Sequence, residues 1–189
     1  MLKDLILKNR SYRKFKADQA VERDTLLELI DLARFAPSSK NRQPLKYILV
    51  NDTKKSDFVF EHLKWAWYIR NWDGPSPSER PPAYIIMLLD KELNDKADFD
   101  AGIAAQSILL GATEKGLGGC IIRTVNRYEL SKYFDLPNQF DIVLIIALGI
   151  PAEEIQIDDQ DTKGNMEYWR DENDVHHVPK RPLSELIYE

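Results

Sequence analysis

The sequence predicts one domain that mixes helices with strands, and three observations carry that reading. Apolar runs at residues 47–50, 83–89 and 140–150 have the length and continuity of buried strands. Helix-periodic segments alternate with them, at residues 22–35, where Leu26, Ile30 and Ala33 recur at four- and three-residue steps, and at residues 98–115. A chain of 189 residues, 43% hydrophobic and 30% charged, can bury one sizeable core. No repeat, low-complexity tract or linker divides residues 1–189.

Composition also narrows the function. A formal charge of -5 and a pI near 5.3 argue against nucleic acid as a partner, though a local basic pocket for a small anion is allowed. No run approaches 18 apolar residues, so no membrane span is expected, nor does the start resemble a signal peptide. The single cysteine, Cys120, can form no internal disulfide, which fits a reducing cytoplasm. Of three histidines, two are adjacent at His176 and His177, and no HxxxH or CxxC spacing supports ligation, so no metal site is expected.

In chain order, residues 2–8 form a short amphipathic helix with Leu2, Leu5 and Ile6 on one side. A basic cluster follows, Asn9-Arg10-Ser11-Tyr12-Arg13-Lys14-Phe15-Lys16. A guanidinium grips phosphate bidentately and a serine hydroxyl adds a further hydrogen bond, whereas a solvated charged face is the plainer reading. The helix over 22–35 runs into Pro37, and proline disfavours helical geometry in the residue before it. Residues 38–43 are then all polar. Asn41 and Gln43 each present a donor and an acceptor on one planar amide, suited to the edge of a flat heterocycle. A polar connector between helix and strand is the other reading of this loop.

Residues 51–53 offer caps for a helix over 54–69, which carries Phe58, Phe60, Leu63, Trp65, Trp67 and Tyr68. Residues 71–82, with Gly74 and prolines at 75, 77, 81 and 82, break regular structure and read as a pocket cover or a surface connector. The helix over 98–115 spans about 27 Å and is apolar on nearly every side, which places it in a core or against a partner subunit. Gly116-Leu117-Gly118-Gly119 supplies a left-handed cap and room for backbone near a ligand, without a GxGxxG fingerprint. Cys120 reads as a small buried residue rather than a redox thiol. Asn126, with Glu129 three places on, opens a short helix to Phe134. The tail from Ala152 places Tyr168, Trp169 and Val175 before Lys180-Arg181, a basic pair that completes an anion site if the tail folds back.

Taken together these motifs resemble the nitroreductase family of FMN-dependent oxidoreductases. The resemblance rests on the Arg10-to-Phe15 cluster, on Ala33-Arg34-Phe35-Ala36-Pro37-Ser38-Ser39 with Asn41-x-Gln43-Pro44, on residues 116–119, and on the basic pair near the C-terminus. It implies an α+β, three-layer fold, a mixed and mainly antiparallel sheet flanked by helices. It also implies an intertwined homodimer with two FMN sites at its interface, the 98–115 helix packing on the partner. By resemblance, Arg10 and Ser11 bind the FMN phosphate, Lys180 and Arg181 close over it, and Arg13 lies beside the flavin pyrimidine edge. Pro37, Ser38, Ser39 and Asn41 would reach the flavin held mainly by the other subunit, with Gln43 shaping their loop. Ile121, Ile122, Arg123 and Thr124 would line the ring face.

The implied reaction is reduction of a flat acceptor, a nitroaromatic or a quinone, at the expense of NADH or NADPH by a ping-pong mechanism on the flavin. Arg13 would stabilise negative charge at the N1–C2=O side of the reduced ring, the one catalytic role given to a side chain. Trp65, Trp67 and Trp72 are expected to form a substrate lid. Alternatives on the same fold are reductive dehalogenation, enone reduction and flavin breakdown, or flavin binding without turnover. Two positions depart from the family pattern. Asn9 stands where an arginine is common, which removes a charged phosphate contact worth about 1.5–3 kcal/mol. Leu45 follows Pro44 where an aromatic is frequent.

Overall fold

The computed structural model describes residues 1–160 and 164–188. Its centre is a four-stranded sheet of order β1-β2-β4-β3, formed by β1 (Leu45–Val50), β2 (Ala83–Asp90), β3 (Gly118–Ile122) and β4 (Phe140–Gly149). Every pairing in it is antiparallel, and the β2–β4 register shifts once, between Met87 and Leu88. All eight residues of β2 are buried, because both faces of the sheet are covered.

Alternation along the strands sorts the core into two layers. Ile85, Met87, Leu144, Ile146 and Leu148 pack under α2 (Arg23–Arg34) and α4 (Asp98–Glu114), against Leu26, Leu29, Ala104 and Ile108. Tyr84, Ile86, Leu88, Ile145 and Ala147 face the opposite way, onto Val59 of α3 (Thr53–Glu61), Leu130 of α5 (Arg127–Tyr133), Phe15 and Trp65. Helices, sheet and helices thus make the three layers of an α+β fold. A short first helix, α1 (Leu2–Lys8), has no fully buried residue.

A small residue on α4 sets how closely α2 lies beside it within their layer. A Cβ at Gly111 would stand 2.3 Å from Leu32 Cδ1 on α2. The helix ends in a Schellman turn, with Gly116 at φ +76, its N–H donating to Thr113 O, and the Leu117 N–H donating to Ala112 O. Gly118 and Gly119 make room for Tyr12, Pro151 and Leu109, so their smallness serves packing rather than a ligand.

One expectation changes. The helix over 54–69 stops at Glu61: Leu63 bridges Val125, the Lys64 N–H donates to Thr124 O, and Ala66 has φ 37. A competing bridge to the segment before α5 takes the backbone groups that a longer helix would use. The tail, to which the sequence assigned no elements, is ordered as well. It forms a second sheet of order β5-β7-β6, from β5 (Ile155–Asp159), β6 (Trp169–Arg170) and β7 (His176–Lys180). The parallel β5–β7 pairing lies there, beside an antiparallel β6–β7 pair.

Candidate functional site

The basic cluster is pinned as an extended segment across the ends of β3 and β4. Ser11 bridges Gly119 and Phe15 bridges Pro151; the Lys16 N–H donates to Ile150 O and the Ala152 N–H to Lys14 O. The Glu153 carboxylate accepts from the Arg13 and Lys14 backbone N–H groups and from the Arg170 side chain. The backbone is therefore fixed, and alternate side chains diverge.

A cavity of about 340 Å³ opens beside this segment. Asn9, Arg10, Ser11 and Arg13 line one side, Gln106 and Leu109 of α4 with Ile121 of β3 another, and Tyr168, His176, Val178 and Lys180 the tail side. His176, Val178 and Lys180 are every second residue of β7, so one face of that strand forms the wall. His177, on the other face, bonds Asp158 Oδ2 at 2.7 Å and stacks on Trp169 at 4.1 Å between ring centroids.

The cavity is electropositive within an acidic chain. Arg13 is buried, yet no carboxylate pairs with its guanidinium among the described residues. Its Nη1 donates to Ser11 O at 3.1 Å and lies 3.1 Å from His176 Nε2, and the group sits 4.5 Å over the Tyr168 ring. Arg10 donates through Nη2 to Ile6 O, while its Nε is buried with no partner among the described residues. Lys14 is consumed elsewhere, paired with Asp174 and Glu79. Burial and the adjacent guanidinium lower the His176 pKa to about 4, so the ring is neutral. Burial raises the Cys120 thiol, which Arg13 only partly offsets, as suits an inert buried thiol.

A second cavity, of about 280 Å³, is lined by Pro37, Ser38, Gln43, Tyr47 and Asp100 among others. Here the loop after α2 is held by a buried carboxylate on the first turn of α4. Asp100 accepts from Ser38 Oγ–H at 2.6 Å and from the Ser39 N–H at 3.2 Å. Ser38 Oγ in turn accepts from the Gln43 N–H at 2.9 Å. That closure sets Lys40, Asn41 and Gln43 at positive φ, and it brings the Gln43 amide 3.1 Å from Asn41 Oδ1. The hydroxyl of Ser38 is spent on the loop, while the Asn41 and Gln43 amides, bonded to each other, remain exposed.

Within one chain, then, Arg10, Ser11, Arg13, Ile121 and Lys180 meet at the first cavity, whereas Pro37, Ser38 and Gln43 line the second, with Ser39 and Asn41 in the same loop. Ile122 is buried in the core, Arg123 is exposed 3.7 Å from Asp98, and the Thr124 carbonyl accepts from Lys64. Arg181 turns away from the cavity to pair with Glu185 at 3.2 Å. Among the three tryptophans, Trp65 is 8% exposed and packed beneath Gly74, Trp72 lies 5.1 Å from the Arg170 guanidinium, and Trp67 is 86% exposed. Tyr68 of that segment makes an edge contact with Tyr168 on the cavity wall, 5.1 Å between centroids. Sequence reasoning missed Gln106, Leu109, Tyr168, His176 and Val178. Period-two spacing of His176, Val178 and Lys180 was the available signal, masked by a segment rich in polar residues.

No group of three or more His, Cys, Asp or Glu suited to a metal ion occurs among the described residues. No helix there is long and apolar enough to cross a membrane.

Comparison with known proteins adds the following. The family model described as "Nitroreductase family" matches residues 6–150. An iodotyrosine deiodinase of Thermotoga neapolitana is 26% identical over 170 residues, covering 81% of this chain and 90% of that protein. A Methanothermobacter thermautotrophicus protein, provisionally named NADH dehydrogenase/NAD(P)H nitroreductase, is 27% identical over 157 residues, covering 79% and 77%. Among solved structures, an FMN-dependent nitroreductase from Clostridium difficile R20291 is 30% identical, with a TM-score of 0.63, covering 79% of this chain and 87% of that one.

Proposed function

The chain belongs to the Nitroreductase family, and from that premise we propose that it binds FMN and uses NADH or NADPH to reduce a flat small-molecule acceptor, a nitroaromatic or a quinone. The observation that carries this reading is Arg13, a buried guanidinium with no carboxylate partner among the described residues, set between a neutral histidine and a tyrosine face at a cavity wall. A buried, unpaired charge is costly unless something anionic completes it. Arg10, Ser11 and Lys180 at the same cavity add the donors a phosphate requires, so the residues present fit a phosphorylated flavin.

FMN, when bound, supplies the redox chemistry itself. Arg13 then favours electron-rich forms of the ring through its fixed charge, a preorganised contribution that needs no movement. Arg10, Ser11 and Lys180 hold the phosphate, while Leu109 and Ile121 give an apolar wall for a flat ring. Loop residues Pro37, Ser38, Ser39, Asn41 and Gln43 complete the site of a second copy. Support for that homodimer comes from α4, α2 and the residue that follows α2, which leave Phe99 (88% exposed), Ile103, Leu32 and Phe35 uncovered on the outside. The protein so described acts in the cytoplasm.

Reductive dehalogenation is the second reading, favoured by the deiodinase relative. One experiment separates these. The purified protein is loaded with FMN, bleached anaerobically with NADH or NADPH, and offered nitroaromatic, quinone and iodotyrosine in turn. Bleaching followed by recovery of colour with the first two supports the proposal; recovery with iodotyrosine alone supports the second reading. A yellow protein that neither nicotinamide bleaches would be a flavin binder without turnover, and a colourless monomer in excess FMN would overturn the reading entirely.

A further inference from the structure

We propose that Asp100 is a positioning residue for the flavin site: through Ser38 and Ser39 it holds residues 39–43 in the conformation that meets FMN bound by a second copy of the chain. The inference rests on the function proposed above and deepens it by adding a residue that touches no ligand itself. Its starting point is the backbone. Lys40 (φ 52), Asn41 (φ 54) and Gln43 (φ 50) are all left-handed within one short loop. Asparagine tolerates that region, whereas lysine and glutamine are crowded there. Such residues persist only where their surroundings over-determine them, and they cluster at ligand clamps. The loop lines the second cavity and not the Arg13 cavity of its own chain, so its part in a flavin site is played in another copy.

What over-determines the loop leads back to one carboxylate. Asp100 is buried and forms no ion pair among the described residues; the groups that satisfy it are neutral donors of the loop. Oδ2 accepts from the Ser38 hydroxyl at 2.6 Å, and the Ser39 N–H donates to Oδ1 and Oδ2 at 3.2 and 3.3 Å. Ser38 O in turn accepts from the Asn41 N–H at 2.9 Å, and Ser39 O from the Arg42 N–H at 3.1 Å. Ser38 Oγ accepts from the Gln43 N–H at 2.9 Å. The backbone donors of Ser39, Asn41, Arg42 and Gln43 are thus tied to Asp100 directly or through one of the two serines. A hydroxyl that gives its proton to a carboxylate turns its lone pairs the other way, so Asp100 also orients the bond that Gln43 makes. What the clamp displays is the exposed amide pair of Asn41 and Gln43, joined at 3.1 Å. A plain connector between α2 and β1 needs no such strain; a fixed amide pair does.

The test uses dimers assembled from two differently tagged chains. Asp100→Asn turns a donor towards a loop that offers it only donors, so the FMN dissociation constant of that homodimer, read by flavin fluorescence, should rise about tenfold. A chain with both Arg10→Ala and Arg13→Ala has a disabled cavity and a whole loop, and its homodimer should bind FMN weakly too; full affinity there counts against the functional reading itself. Paired with each other, the two chains should recover one site per dimer, within about threefold of the original affinity, made of the cavity of one and the loop of the other. A mixed dimer with no recovered site overturns the proposal. So does an Asp100→Asn protein that melts at lower temperature yet binds FMN unchanged, since that aspartate would be structural only. Should Asp100→Asn fail to fold, Ser38→Ala keeps the carboxylate and its bond to Ser39 while removing the link to Gln43, and the same recovery is expected with it. An unsubstituted chain that binds FMN as a monomer sinks the Asp100 proposal and leaves the flavin reading standing, whereas one that binds no FMN removes that reading.

Discussion

The four-stranded sheet and the three-stranded tail sheet share one cavity and are held together by different forces. In the first, β2 and β4 bury nearly every side chain, and their charged residues lie at the ends of the strands. In the second, Ile157 and Trp169 are exposed, and buried residues are confined to the two histidines. Charge takes the place of a core there. Arg170 and Glu153, with side chains 10% and 1% exposed, form its inner pair, Lys14 reaches Asp174, and His177 stands between Asp158 and Asp171. Apolar burial is nearly indifferent to pH and salt, while ion pairs respond to both. One wall of the cavity is thus fixed, and the opposite wall answers to conditions.

The largest effect should come from the fixed side. Ile146, fully buried under α4, loses both transfer energy and packing on substitution by alanine, an expected cost of about 4 kcal/mol in denaturant unfolding. Glu153→Gln removes the buried one of Arg170's two charge partners, leaving only the more exposed Asp174, and weakens the bonds to the Arg13 and Lys14 N–H groups. About 3 kcal/mol should be lost. The loss should show first as faster amide exchange in β6 and β7, with FMN affinity falling in parallel. Equal exchange in both sheets would erase the distinction between them.

Acidity should act on the tail sheet from two directions. The His177 pKa is raised by hydrogen bonds and charge from Asp158 and Asp171 against the opposing effect of desolvation. Its stabilisation is complete below the ordinary value of 6.5 and is lost as pH rises through the higher folded value. Its neighbour has the opposite sign: with a pKa lowered to about 4, His176 stabilises above 6.5, and that support is lost as pH falls towards 4. Exchange protection of β6 and β7, corrected for intrinsic rates, should therefore peak near 6.5. His177→Gln should remove the alkaline limb and leave the acid one.

The smallest effect on stability is expected at Trp67, which is almost fully exposed; Trp67→Ala should stay within about 0.5 kcal/mol. As part of a substrate lid, its loss should change preference among acceptors more than FMN affinity. Trp65→Ala, by contrast, opens the core beneath Gly74 and should cost about 3–5 kcal/mol. Equal loss of FMN affinity and acceptor turnover in the Trp67 variant would count against the lid.

Periodicity and punctuation in the sequence were enough to place α1, α2, α4, α5 and the three long strands, because each of these elements carries its own reason to form. Ala83 to Leu89 can only be a strand covered on both faces, and Pro37 and Gly116 end helices wherever those helices lie. The Arg10-Ser11-x-Arg13 cluster and the amides at Asn41 and Gln43 were legible for a similar reason, since their chemistry belongs to single side chains. What the tertiary structure alone decided is which of these groups stand together. Lys14 is spent on Asp174 while Arg13 is left bare; Ser38 is spent on Asp100; and a polar tail folds back to bring His176 against Arg13. Such pairings join residues 62 to 163 positions apart and leave no local trace, because a contact across the fold depends on where two backbones meet and not on the propensity of either.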